Sequence, residues 1–153
     1  MNRYAKIVTL LLMLIAVSGA CSSAPKFSNV VDKDWKLIAV RGGPGNITFD
    51  RSKLVEEGFA DIFTLRFDKE RVNGVGAPNR FFAPYTRTDN KQGISIQAIA
   101  QSQMAPLREP EYLKEQEFFA YLQNTTQWTI ADKNLELHST GEDGTAAVLV
   151  FAP

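Results

Sequence analysis

The sequence predicts a mainly β domain carrying one amphipathic helix, and three observations predict it. Short runs with an apolar residue at every second position recur along most of the chain, the period of a half-buried strand. Clusters of Gly, Asn, Asp and Pro separate those runs, as tight turns require. A single segment, 110–124, departs to a helical period.

The elements follow in order. Asp34 to Val40 (DWKLIAV) is the first strand, ended by Arg41-Gly42-Gly43-Pro44-Gly45, a cluster that cannot hold a ladder. Asn46 to Asp50 reads as a short strand, and Arg51 to Ala60 as either a helical turn or a loop. Asp61 to Phe67 alternates clearly, with Phe63, Leu65 and Phe67 on one face. Asp68-Lys69-Glu70 turns the chain into Arg71-Val72-Asn73-Gly74, and Asn79 to Thr86 is a further strand in which Pro84 favours an edge or bulge. After the turn Asp89 to Gly93, Ile94, Ile96 and Ala98 face one way. Gln127 to Ala131, Leu135 to Ser139 and Thr145 to Phe151 complete the strands, joined by hairpin turns at Asp132-Lys133-Asn134 and Gly141 to Gly144. The helix is expected from Pro110 to Asn124, with Pro110 and Glu111 in its first turn and Phe118, Tyr121 and Leu122 on one stripe.

The amino terminus predicts export. Arg3 and Lys6 precede an apolar run, Ile7 to Val17, then Ser18-Gly19-Ala20 and Cys21. That order is a secretory signal peptide over 1–20, and its apolar core is short of the roughly 20 residues a spanning helix needs. VSGA-C resembles a bacterial lipobox, with Ser18 where the commonest form has Leu. Cys21 is the chain's 1 cysteine, so its expected role is lipidation, with acyl chains on Cys21 holding the protein to a membrane. In the Gram-negative lipoproteins this start resembles, an Asp after the cysteine favours inner-membrane retention; Ser22 stands there instead, so the resemblance implies the outer membrane. Residues 21–33 read as a tether and 34–153 as one folded domain. Cleavage before Cys21 removes two of the 17 Lys+Arg and none of the 17 Asp+Glu, giving 15 against 17 and a net charge of −2. A mildly acidic, mixed-charge domain carries no electrostatic footprint for nucleic acid.

A collinear series of short motifs is similar to a known family. Trp35-Lys36-Leu37 opens it, and FDKERVNGVGAPNRFFAPY over 67–85 is its strongest piece. Ile94 to Ile99 precedes Gln103-Met104-Ala105, Glu117-Phe118 falls near the helix end, and Leu135-Glu136-Leu137 precedes the last strand. The series resembles the META domain of HslJ-type heat-shock lipoproteins over 34–153. The resemblance implies an antiparallel meander curled into a small barrel-like body with one amphipathic helix packed on it. It also implies a setting in envelope stress, integrity or secretion, without a defined reaction. Members commonly carry a cysteine pair that looks bridged; those places here hold Pro78 and Pro106.

Candidate chemistry is sparse. His138 stands alone at a strand end, a poor start for a metal site that usually takes four N, S or O ligands. No nucleophile elbow or phosphate loop is present, so no catalytic residue, metal or cofactor is expected and the protein reads as a non-enzyme. Asn73, Gly74 and Asn79 form a polar bend inside apolar sequence, whose expected role is structural, with Arg80 paired to a carboxylate such as Glu117. The same stretch offers a recognition patch of Arg66, Arg80 and Tyr85 for an unidentified envelope protein. The alternative is a small apolar ligand held in the barrel among Phe81, Phe82, Phe118 and Phe119.

Overall fold

The computed structural model describes residues 25–88, 92–105 and 110–153. The signal segment 1–20, Cys21, Asp89 to Lys91 and Pro106 lie outside the described residues.

The described residues form ten strands and two α-helices. β1 (Trp35–Gly42) pairs with β2 (Ile47–Thr48), and α1 (Arg51–Glu56) follows. The Asp50 carboxylate caps α1, accepting from the Ser52 and Lys53 amides at 2.9 and 3.2 Å. β3 (Thr64–Phe67), β4 (Arg71–Val75), β5 (Arg80–Arg87), β6 (Ile94–Ile96) and β7 (Ala100–Gln101) come next. Then come α2 (Glu115–Gln123), β8 (Gln127–Ala131), β9 (Asn134–Thr140) and β10 (Ala146–Ala152). Arg51 to Ala60, open between helix and loop in the sequence, is thus a capped helix followed by a turn. Asp61 to Phe63 is loop, not strand. Phe63 sits at φ 50°, and Arg51 holds the loop through its guanidinium, which donates to the Ile62 and Phe63 carbonyls at 2.8 and 3.0 Å. Burial lowers the Arg51 pKa to about 10.

The sheet runs β6-β5-β4-β3-β1-β10-β9-β8, every strand pair antiparallel. It is two meanders joined by β1, which lies between β3 and β10. The first and last strands meet through a Gly93–Gln127 bridge and the bonds Ile94 N–H to Thr126 O and Trp128 N–H to Gln92 O, at 3.1 and 2.9 Å. The sheet therefore nearly closes into a barrel, as the family resemblance implied. A bulge at Ile38 shifts the β1 register, so that Trp35, Leu37 and Val40 all face inward. The β8–β9 connection places Asp132 and Lys133 at φ 50° and 68°, the two left-handed positions of a tight hairpin.

Both ends of the barrel are covered. At the Gly42 end, α2 packs Phe118, Phe119, Tyr121 and Leu122 inward, with the Tyr121 ring against Gly43 and Gly141. The helix starts at Glu115, five residues later than Pro110; Pro110 and Glu111 precede it in an irregular stretch. Lys114 supplies no side-chain cap, and Glu115 and Glu117 occupy the first turn instead, where the helix dipole favours acids. At the Trp35 end, a single 3₁₀ turn, Phe27–Asn29, fills the opening. Phe27 packs at 5.6, 5.6 and 5.0 Å from Phe67, Tyr85 and Trp128. Val30 is fully buried, Val31 bridges Phe67, and Trp35 Nε1 donates to the Val30 carbonyl at 2.9 Å. Within 21–33, expected as tether, Phe27 and Val30 are buried in the core, so packed structure is present from Phe27 onward.

Candidate functional site

Two polar constructions stand back to back around the β4–β5 connection. The inner one is built on Glu115. Its carboxylate is 3% exposed and accepts three N–H groups. Oε1 takes the Ala77 and Asn79 amides and Oε2 takes Asn79 Nδ2, each at 2.6 Å. The Asn79 side chain also grips the next segment. Its Oδ1 accepts from Met104 N–H at 2.7 Å and Ser102 Oγ at 2.9 Å, and its Nδ2 donates to Met104 O at 3.2 Å. One side chain thus ties the β4–β5 turn, the α2 amino terminus and the irregular segment after β7. Gly76 is needed here, since a Cβ would lie 2.5 Å from Glu115 Oε1. The turn carrying Pro78 and the segment leading to Pro106, without a cysteine pair, are joined by these bonds.

Asn79, expected in the polar bend, lies in this network, and Glu117 does not. Two helical residues are separated by about 200°, so Glu117 points away from the turn that Glu115 faces, and it lines a different depression with Tyr121. Arg80 is not paired with it. Asn73 also leaves the bend for the outer face. Gly74 holds its predicted structural place: a Cβ there would meet the Thr64 carbonyl oxygen at 2.0 Å, so β3 and β4 approach this closely only with glycine.

The outer construction is a shallow groove of about 510 Å³ across β1, β3, β4 and β5. Strand register builds it from two transverse rows. Lys36, Thr64, Val75 and Arg80 form one; Arg66, Asn73 and Phe82 form the other. Arg66 reaches Asp34 at 3.3 Å and Asp32 at 3.6 Å. Arg80 has no ion-pair partner among the described residues. Phe82 is 48% exposed, with the Arg71 guanidinium 5.9 Å from its ring centre. The structure therefore brings Arg66 and Arg80 together and separates Tyr85 from them. Tyr85 turns toward Phe27 and Phe67, and its hydroxyl donates to the Asp68 carbonyl at 2.8 Å. Burial raises its pKa.

Phe82 was grouped with the interior aromatics in the sequence, and that grouping is corrected: alternation along β5 sends Phe81 in and Phe82 out. Phe81, Phe118 and Phe119 pack on one another with centroids 5.3 to 6.1 Å apart. Such rings fill a core by contact with each other. His138 lies on the outer side of β9, with Nε2 4.0 Å from Glu136 Oε2; Arg41 is paired to the other oxygen of that carboxylate. Among the described residues no group of three or more His, Cys, Asp or Glu is placed to hold a metal ion, and no helix is long and apolar enough to cross a membrane.

A nearly closed antiparallel barrel with a helix over one end and a polar turn clamped by that helix defines a class of small β domains. The META domain pattern matches residues 28–152, and the chain belongs to that family. No curated protein matches the sequence. Among solved structures, an NMR structure of a protein from Burkholderia xenovorans is similar with a TM-score of 0.58 and 12% identity, over 99% of each chain. A crystal structure of a DUF4847 family protein from Bacteroides vulgatus is similar at TM-score 0.53 and 14% identity, over 82% of this chain and 95% of that one. These likenesses concern the fold.

Proposed function

We propose that the protein is a lipid-anchored, non-enzymatic component of the cell envelope that binds another envelope protein through the β3–β4–β5 groove. Acyl chains on Cys21 hold it at the outer membrane, and it serves envelope integrity, stress response or secretion. One observation carries the reading: Phe82 is exposed on a strand, in a groove that also presents Arg66 and Arg80, with Arg71 beside its ring. An aromatic ring flanked by arginines is the composition of an interface hot spot. Arg80, with no carboxylate to satisfy it among the described residues, is free to meet one on a partner. The mixed charge of the rim, with Asp34, Asp61 and Lys36, suits a protein surface better than a polyanion.

Tagged protein recovered from detergent-solubilised envelopes should bring down a discrete partner. Phe82→Ala and Arg80→Ala should each lower that recovery about tenfold or more, the ordinary loss at a hot-spot residue. Recovery unchanged in both variants would remove the groove from the account.

A further inference from the structure

We infer that the Trp35 end of the barrel rests on the bilayer that holds the anchor, with the basic depression beside Phe27 meeting anionic phospholipid headgroups. This rests on the proposed acylation of Cys21 and adds an orientation to it. Chain length is the first support. The core claims Phe27 and Val30, so six Cα steps separate Cys21 from the folded domain, a reach of about 20 Å when fully extended. β1 alone spans about 23 Å. The short link therefore keeps the Trp35 end near the headgroups and lets only the Gly42 end project away.

Charge is the second support. Phe27, Ser28, Val31, Lys69, Tyr85 and Arg87 line a depression of about 390 Å³ at the point where the link leaves the domain. Arg87 lies 5.2 Å from the Phe27 ring centre. Lys26 and Lys33 are exposed on either side of the 3₁₀ turn. Among the nearby acids, Asp32 and Asp34 share Arg66, and the Asp68 carboxylate accepts the Glu70 and Arg71 amides at 2.8 and 2.7 Å while keeping its charge. Glu70 stands exposed against Lys26, Lys33, Lys69 and Arg87. Basic side chains this close to a membrane attachment point are drawn to anionic lipid over a Debye length. The β3–β4–β5 groove, on the side wall, is then left open to a partner lying alongside on the same membrane.

The test uses the mature acylated protein in vesicles of phosphatidylcholine with phosphatidylglycerol and a nitroxide-headgroup lipid. A fluorophore is attached through Glu70→Cys at the Trp35 end or Glu142→Cys at the Gly42 end. Quenching of the Glu70→Cys label should exceed that of the Glu142→Cys label at least about threefold, because headgroup quenchers act over little more than contact distance while β1 holds the ends about 23 Å apart. Adding Lys69→Glu with Arg87→Glu should shrink the difference, as should vesicles of phosphatidylcholine alone. Equal quenching at both sites on vesicle-bound protein overturns the orientation. Flotation reports the anchor separately: protein that does not float with vesicles overturns the acylation reading, and the orientation with it. Charge reversal without effect overturns the headgroup contact.

Discussion

Asn79 and Arg80 are neighbours in the chain and opposites in the fold. Asn79 is 5% exposed, and its backbone amide and side chain make five hydrogen bonds with Glu115, Met104 and Ser102. The Arg80 side chain stands in the outer groove with no ion-pair partner among the described residues. Both residues belong to one polar motif, and a sequence alone treats them as one cluster. The motif therefore has two roles, divided by the single step from Asn79 into β5. A buried polar group must be matched inside the protein because leaving it unmatched costs its full desolvation. An exposed cation carries no such requirement, so it is available for recognition.

Removing the inner carboxylate has the largest expected effect. Glu115→Ala leaves the Ala77 and Asn79 amides buried without acceptors, and urea denaturation should show a loss of about 4 kcal/mol. Phe27→Ala tests the other covered end; it should destabilise the domain by about 3 kcal/mol, the ordinary result of truncating a buried aromatic. A smaller loss would mean that the segment before Trp35 is tether after all. Asp68→Asn addresses a surface turn. Hydrogen bonds from the Glu70 and Arg71 amides hold the Asp68 carboxyl below its usual pKa. The folded value lies below the unfolded one, so the stabilisation is present above about pH 4 and lost as pH falls through the folded value. Wild type should therefore exceed Asp68→Asn in stability near neutral pH, and the gap should close in acid. Smallest of all is Arg80→Ala, which should change stability by no more than about 0.5 kcal/mol while lowering partner recovery.

Much of the fold was legible because alternation and turn chemistry are local. Gln127 to Ala131 matches β8 at both ends, and the hairpin at Asp132-Lys133 has the left-handed residues its two-residue turn demands. The helix boundary was misread because Pro110 and Glu111 suit a first turn, while the tertiary bonds of Glu115 place the true start five residues later. β7 was not foreseen: two exposed residues have no period, and only pairing with Phe81 and Phe82 makes them a strand. Of the site, Arg66 and Arg80 were readable from their alternation with buried residues. Phe82 could have been found by the same rule, since Phe81 and Phe82 cannot face the same side of one strand. The Glu115 carboxylate could not, because choosing Glu115 over Glu117 requires the rotation of α2 relative to the β4–β5 turn.

Photocrosslinking in intact cells would show whether the outer groove is the recognition surface. A photoreactive phenylalanine analogue would replace Phe82 in the groove and, in a second strain, His138 on the outer side of β9. A discrete crosslinked product from position 82, absent from position 138 and lost when Arg66 and Arg80 are both alanine, is the predicted result. Products of equal yield from both positions, or a product from position 82 that survives loss of both arginines, would contradict the account.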